Sequence, residues 1–476
     1  RKLNSFYGFN TNDNTNHIFG FVQVFENYNN PDDKLFVFLK TNIDGEFQEK
    51  LQQLLEKSST NPFLSLYPPN TEYKDFNFHC ELGNILFHRE LLKEALIEYR
   101  ISLKFERNNA HALFGIANVY DKKENYDKAI KYYLKTKDIE QNHPMVHRKL
   151  GDAYYYMGQH DKALEEYSTV IDIANDSLIT GYSHFSIGII HEERKKYNKA
   201  ISQYKQALKM RPNYDFAHYK LGTIYLKKGN SPKAISFFKQ AAILRPNSFL
   251  YLEQLALAYS KNGDLDKAIW AYKMALKINS HDIRTLLNLG FMYSQQGDVK
   301  HALATYKKAL EINPVNAEVY YYIGLAYVSH DLPLEEALNF YIKTITINPR
   351  HVSARNQIGL IYYILKDYKK AIKEFHLCLS YEPGFVLGYK NLGLLYKEVK
   401  KFGSSIDYYS KAIDLGDSDF ECYFNRGLCH YLKEEWHSAS EDFRMALKLR
   451  PEQKNIHELL NLAEQKKLIQ SEKTSN

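Results

Sequence analysis

From residue 76 to about residue 453 the chain alternates amphipathic stretches with short polar turns. Within each stretch, apolar residues fall at i, i+3, i+4 and i+7, the spacing of a helix with one buried face. Turns such as "KKGN", "KNGD" and "QQGD" separate stretches of about a dozen residues. The pattern therefore predicts helical hairpins, each helix ~18 Å long.

The hairpins recur with a fixed period. Small residues stand at Gly83, Ala117, Gly151, Gly188, Gly222, Ala256, Gly290, Gly324, Gly359, Gly393 and Gly427, with spacings of 34, 34, 37, 34, 34, 34, 34, 35, 34 and 34. Twelve residues later comes a second small residue, from Ala95 and Ala129 through to Ser405 and Ala439; Ala337 comes thirteen after its partner. Four further on is always an aromatic, Tyr99 in the first unit and Phe443 in the last, and many units close on a proline, as at Pro212, Pro314 and Pro451. Size explains the choice. Two helices approach to the short end of the ~8–10 Å range only where the residue at the crossing is Gly or Ala. The aromatic is expected to fill the wider gap towards the next unit, and proline ends the second helix because it cannot donate an intrahelical hydrogen bond.

This combination resembles the tetratricopeptide repeat family, whose unit is 34 residues, with eleven tandem repeats over residues 76–453. The resemblance implies an all-α fold, a right-handed α-solenoid of helix pairs. Residues 454–476 read as an amphipathic capping helix and tail, which a solenoid end requires. Residues 1–75 break the period. There "HIFGFVQVFENYNNPDDKLFVFLK" reads as two strands around a turn, "GEFQEKLQQLLEKS" as one helix and "STNPFLSLYPPNTEY" as a linker or strap, so a small α/β appendage is expected. The absence of an initiator Met leaves room for a longer parent chain.

Composition removes several classes. No apolar run approaches the ~18 residues of a membrane span, so no membrane insertion is expected, and no secretory signal is visible. The net charge of +7 is interleaved, as in "DKKENYDKAIKYYLKTKD", and no Arg-rich run points to nucleic acid. Cys80, Cys378, Cys422 and Cys429 form no C-x-x-C pair. Cys422 and Cys429 share a helical face and read as small buried hydrophobes, with a metal or redox pair as the alternative. No phosphate-binding loop, nucleophile elbow or metalloprotease motif occurs. His191 and His430 occupy a slot held elsewhere by Tyr and read as packing residues. Catalytic residues, metal, cofactor and small-molecule substrate are all expected to be none.

The resemblance also directs attention to the inner, concave surface lined by the first helices. Chaperone-binding relatives carry a carboxylate clamp there; its positions fall here on Arg148 and Asp152, Ser186, then Phe216 and Lys220, and Asp152 would repel a carboxylate. A chaperone adaptor is accordingly disfavoured. A second pattern fits better. Long superhelical relatives, notably the repeat half of O-GlcNAc transferase, carry an asparagine two residues before the packing glycine that grips an extended peptide. That slot holds Gln254, Asn288, Tyr322, Gln357, Asn391 and Asn425 in the last six repeats, and Glu81, Gly115, Lys149, Ser186 and Lys220 in the first five. An amide both donates and accepts, so a row of them suits a peptide backbone of any sequence. The alternative is that these amides bond neighbouring repeats. Phe114, Phe185, Tyr219, Tyr321 and Phe424, one residue earlier, are either inner-surface anchors or packing residues. Arg284, one turn before Asn288, is the position least typical of the family and the candidate for partner specificity. Two insertions, within "IDIANDSLITGYS" and "AYVSHDLPLEEAL", mark either partner contacts or harmless length variants.

The expected function is a non-catalytic scaffold, binding protein or extended peptide partners within a larger intracellular complex. The build is similar to that of anaphase-promoting complex subunits and of ciliary or intraflagellar-transport proteins, which implies a cytoplasmic, cytoskeletal or ciliary setting. The contrasting expectation is the substrate-recruiting part of an enzyme whose catalytic domain lies outside these residues.

Overall fold

The computed structural model describes residues 76–416 and 419–475, together with three short strands. These are β1 (Leu3–Phe6), β2 (Val22–Glu26) and β3 (Phe36–Val37), paired antiparallel in sequence order, with Leu3 opposite Glu26 and Val22 opposite Val37. The helix and linker expected over residues 45–75 lie outside the described residues.

All remaining elements are helices, and the chain divides after Pro212 into two compact units. The first holds four hairpins: α1 (Phe76–His88) with α2 (Leu92–Phe105), α3 (Ala110–Lys122) with α4 (Tyr126–Ile139), α5 (Pro144–Tyr156) with α6 (His160–Ile173), and α7 (Ser177–Glu193) with α8 (Tyr197–Met210). The second holds seven: α9 (Asp215–Lys227) with α10 (Ser231–Leu244), α11 (Phe249–Asn262) with α12 (Leu265–Ile278), α13 (Ile283–Gln295) with α14 (Val299–Ile312), α15 (Ala317–Ser329) with α16 (Leu334–Ile347), α17 (Val352–Ile364) with α18 (Tyr368–Tyr381), α19 (Val386–Glu398) with α20 (Phe402–Asp414), and α21 (Phe420–Leu432) with α22 (Trp436–Leu449). The last helix, α23 (Lys454–Ser475), packs Ile456 and Ala463 against α22 and covers the end of the stack. Each unit is thus an α-solenoid of stacked helix pairs.

The packing differs from the simple crossing of backbones that the small residues suggest. A Cβ added to Gly83 would lie 2.6 Å from the Tyr99 ring, and one on Gly290 2.3 Å from Tyr306. The glycine is small because it receives the aromatic ring of its own hairpin. That ring also reaches the following repeat, since a Cβ on Gly115 would lie 2.4 Å from the same Tyr99. Tyr99, Tyr133, Tyr204, Tyr272, Tyr306, Tyr341 and Phe375 are all buried, as are the alanines such as Ala95 and Ala268 one turn before them. The ring is therefore a key through both interfaces of a repeat. Each such side chain buries apolar surface worth about 1.5–3 kcal/mol.

Turns and ends follow local rules. Every hairpin turns through one residue in the left-handed region, seven after the packing residue: Gly158, Gly229, Gly263 and Gly297 in four repeats, and Glu90, Glu124, Lys195, Asp331, Lys366, Lys400 and Glu434 in the others. Asn109, Ser248, Asp282 and Asn316 cap first helices; the Asp282 carboxylate accepts from the Thr285 amide at 2.8 Å. The closing prolines stand two residues past the last helical residue, as Pro314 does after Ile312. The insertion between the third and fourth repeats becomes an added turn of helix, α7 having 17 residues where α5 has 13. In the eighth repeat the insertion is a turn carrying Asp331 at positive φ, tied back by His330, whose Nε2 lies 3.0 Å from the Ser294 hydroxyl.

Candidate functional site

The first helix of each repeat presents one face on which the residues two before the packing position recur. This slot lies over the buried ring of the preceding repeat. Gly115 shows it against Tyr99, and in the second unit the Tyr322 ring lies 6.2 Å from Tyr306. Gln254, Asn288 and Gln357 occupy the same register position in repeats six, seven and nine.

The six slots of the last six repeats have different fates. Gln254, Asn288 and Gln357 are half-buried, and their amides have no hydrogen-bond partner among the described residues. Tyr322 packs edge-on to Phe291 at 6.0 Å and beside Tyr321 at 5.7 Å. Asn391 is committed, its Nδ2 donating to Asn356 Oδ1 of the preceding repeat at 2.7 Å. Asn425 is committed twice, accepting from Lys397 Nζ at 2.7 Å and donating to the Glu421 carbonyl at 2.9 Å. The row of amides thus separates into three open rungs and two that bond their own chain. Arg284 is also engaged: its Nη2 lies 2.6 Å from Glu253 Oε1, with the arginine side chain 71% exposed and the glutamate 5%.

The aromatics one residue before the slot are packed. Phe114 tilts onto Tyr133 at 5.6 Å, Phe185 onto Tyr204 at 5.3 Å, Tyr219 onto Phe238 at 6.0 Å, and Tyr321 onto Tyr341 at 5.8 Å and His351 at 4.8 Å. Phe424 stacks on Phe420 at 5.7 Å. They belong to the seams between helices.

The hydroxyls of the buried tyrosines distinguish the two units. In the first, each finds an acceptor on its own first helix: Tyr99 donates to Asn84 at 2.8 Å, Tyr133 to Asn118 at 2.7 Å, Tyr167 to Asp152 at 2.7 Å and Tyr204 to Glu192 at 2.7 Å. Burial pushes the Asp152 carboxyl up, against the pull of the Arg148 guanidinium 3.3 Å away. In the second unit the Tyr272, Tyr306 and Tyr341 hydroxyls have no such partner among the described residues, and the Tyr341 oxygen is fully buried. Burial raises all three phenols above their usual value, so they stay protonated donors. Buried hydroxyls without a partner and half-buried open amides therefore occur together in repeats six to nine.

Sequence reasoning missed a second polar feature, four residues before the packing glycine. His147 sets Nδ1 2.6 Å from Glu166 Oε2 and Nε2 2.8 Å from the Gln141 carbonyl. Arg355, in the same register, donates from Nε to the Pro349 carbonyl at 2.8 Å and from Nη1 to Glu374 Oε2 at 2.7 Å. Tyr320 and Tyr389 bond the carbonyls of Pro314 and Pro383 in the same way. The only sequence signal was a polar residue four before the packing glycine, six residues after the loop carbonyl that it meets, and it changes type from repeat to repeat.

Other candidate chemistry resolves into packing. All four cysteines are buried, and none is in a disulfide. Burial pushes the Cys80 and Cys378 thiols up to about 12, and Cys429 donates to the Ser405 hydroxyl at 3.2 Å. His430 lies 2.6 Å from Glu435. Among the described residues no group of three His, Cys, Asp or Glu could hold a metal ion, and no helix is long and apolar enough to cross a membrane.

Stacked hairpins with one repeating face define a helical-repeat protein. Models of the tetratricopeptide repeat match residues 110–143, 144–213, 185–249, 219–283, 292–331 and 352–385, together more than half of the chain. The chain belongs to the tetratricopeptide repeat family. It is similar to anaphase-promoting complex subunit 6 of Arabidopsis thaliana, 26% identical over 152 residues, covering 30% of this chain and 27% of that protein. It is also similar to the human intraflagellar transport protein 88 homolog, 29% identical over 124 residues, covering 24% of this chain and 15% of that one. The chain thus spans under a third of the length of either relative. The crystal structure of yeast Tom70 aligns over 83% of this chain and 96% of its own, at 15% identity and a TM-score of 0.43.

Proposed function

We propose that this protein is an interaction scaffold whose first-helix face in repeats six to nine holds an extended segment of a partner protein. One observation carries the reading: in those repeats the half-buried Gln254, Asn288 and Gln357 amides are left without partners, whereas Asn391 and Asn425, in the same slot further on, are bonded within the chain. Unpaired polar groups cost about 1–3 kcal/mol each when buried, so a surface that keeps several is one that another molecule completes. A peptide backbone supplies the matching groups. Neighbouring helices lie ~8–10 Å apart and an extended chain rises ~3.3 Å per residue, so successive rungs meet about every third residue. Such spacing grips backbone rather than one face of side chains.

The likeness to subunits of the anaphase-promoting complex and of intraflagellar transport supports a place in a large assembly, and the second supports a ciliary one. The test is affinity purification of the native protein followed by crosslinking mass spectrometry, repeated with the Gln254→Ala/Asn288→Ala/Gln357→Ala triple variant and with Asn391→Ala. The triple variant loses the partner whose crosslinks fall on α11, α13 and α17, and Asn391→Ala retains it. A triple variant that keeps every partner at wild-type stoichiometry sinks the reading; identified partners decide between ciliary and other assemblies.

A further inference from the structure

The Arg284–Glu253 pair says what kind of segment the open rungs take. Glu253 stands 35 residues before Asn288, just as Asn356 stands 35 before Asn391. Asn356 takes the Asn391 amide at 2.7 Å. Glu253, an acceptor in the equivalent place, is instead held by Arg284 at 2.6 Å, and the Asn288 amide stays open. Arg284 therefore does two things at once: it occupies the competitor of Asn288, and its guanidinium is fixed in position by a carboxylate that is itself buried.

A guanidinium offers five donors in a rigid fork, and its Nη2 meets Glu253 here. The side chain is 71% exposed, so its remaining donors face outward on the same turn-to-turn line of α13 as Asn288. The pair with Glu253 favours one rotamer of an otherwise exposed arginine, which lowers the entropy spent on binding. Leu250 on α11 and Phe291 on α13, the helices that carry Gln254 and Asn288, are both exposed and apolar. Resting on the ladder reading above, we infer that the segment crossing the Gln254 and Asn288 rungs carries an Asp or Glu side chain that docks on the Arg284 fork, with an apolar neighbour against Leu250 and Phe291. The charge-assisted pair sets the register of a segment whose backbone the amides would otherwise hold at any register.

The experiment uses the full chain and an array of extended dodecapeptides of neutral polar and apolar residues in which one Asp, Glu, Lys, Arg or Ala is walked along the host. The wild-type protein favours Asp or Glu over Ala at one position by about ten- to hundredfold. Arg284→Leu with Glu253→Leu removes the charge pair together, leaving no buried orphan and no rival for Asn288. This double variant binds the acidic and Ala peptides equally, at the wild-type affinity for Ala. A preference for Lys or Arg, making Glu253 the receptor, overturns the inference, as does a flat profile or an acidic preference that survives the double variant. Absence of binding by every peptide refutes the ladder itself, and the Gln254→Ala/Asn288→Ala/Gln357→Ala variant separates the two, because it loses neutral and acidic peptides alike.

Discussion

His147 is built to stay protonated, and the stability of the first unit should titrate with it. The ring is buried between α4, α5 and α6, and both nitrogens face oxygen acceptors: Glu166 Oε2 at 2.6 Å and the Gln141 carbonyl at 2.8 Å. Only the imidazolium can donate to both. Lys137 Nζ completes the cluster 2.8 Å from the other Glu166 oxygen. The hydrogen bond to Glu166 raises the His147 pKa above its ordinary 6.5, outweighing burial, which opposes the charge. For Glu166, burial alone would raise the carboxyl, but hydrogen bonds from His147 and Lys137 hold it below the ordinary 4.5. Arg355 fills the same position in the ninth repeat with the same two kinds of acceptor, and a guanidinium never titrates in this range.

The signs follow from linkage. The raised His147 contributes stability that is complete below 6.5 and is lost as pH climbs through its folded value. The depressed Glu166 contributes stability that is complete above 4.5 and is lost as pH falls through its folded value. The lock is at full strength between those two ordinary values. Deprotonating His147 turns one nitrogen lone pair towards an oxygen and removes one charge-assisted hydrogen bond, a loss of about 1.5–3 kcal/mol. Because repeat stacks open locally, the readout is hydrogen exchange of α5 and α6 amides, corrected for intrinsic rates, at about pH 6 and about pH 9. Protection in α5 and α6 falls by about ten- to hundredfold at the higher pH, while α17 and α18 around Arg355 change little. His147→Arg abolishes the difference. An unchanged pH dependence in His147→Arg, or a neutral ring in an NMR titration at about pH 6, refutes the reasoning.

Two further outcomes test the rest of the packing scheme. Lys366 and Lys400 turn their hairpins at φ of 61° and 58°, where a Cβ costs roughly 1 kcal/mol, so Lys366→Gly and Lys400→Gly each stabilise their repeat by about 0.5 kcal/mol after glycine's entropic loss, measured by urea unfolding. Tyr341→Phe removes a buried hydroxyl that no described residue satisfies and raises stability by about 1 kcal/mol, whereas Tyr167→Phe strips a donor from the buried Asp152 and lowers it by about 1–3 kcal/mol; thermal unfolding of both variants separates the two effects.

What the sequence revealed was whatever depends on residue size. Gly290 can be read because a side chain there would strike Tyr306, and Pro314 because the helix must stop; both constraints act on residue type at a fixed position. The left-handed turn was readable at Gly229, Gly263 and Gly297, but not at Glu124 or Lys366, where neighbouring packing holds an unfavoured backbone. Donor and acceptor pairing was less legible still. Asn288 and Asn391 occupy one slot and look alike, yet one is open and the other bonded, because the difference lies 35 residues earlier, in Glu253 against Asn356. His147 and Arg355 serve one role with different side chains, so no single-residue pattern announces it.

That dependence on the preceding repeat suggests how one architecture makes some surfaces inert and others receptive. A slot amide is neutralised when the repeat before it offers an acceptor, as Asn356 does, and a tyrosine hydroxyl is neutralised when its own first helix offers one, as Asn84 and Asp152 do. Repeats six to nine withhold both. Leu257 and Leu325 stand where Asn84 and Asp152 stand in the first unit, so the helix opposite Tyr272 and Tyr341 carries no acceptor side chain at that position. Glu253 would have closed the Asn288 rung had Arg284 not taken it. On the proposed reading, receptivity comes from slot amides left open and from the diversion of Glu253 to Arg284, with the register of the helix pairs unchanged. It follows that Leu325→Asn, which places an acceptor one residue after the packing Gly324, should satisfy the buried Tyr341 hydroxyl, raise stability in thermal unfolding by about 1 kcal/mol and leave partner capture unaltered; a fall in capture would mean that this hydroxyl does reach the bound segment.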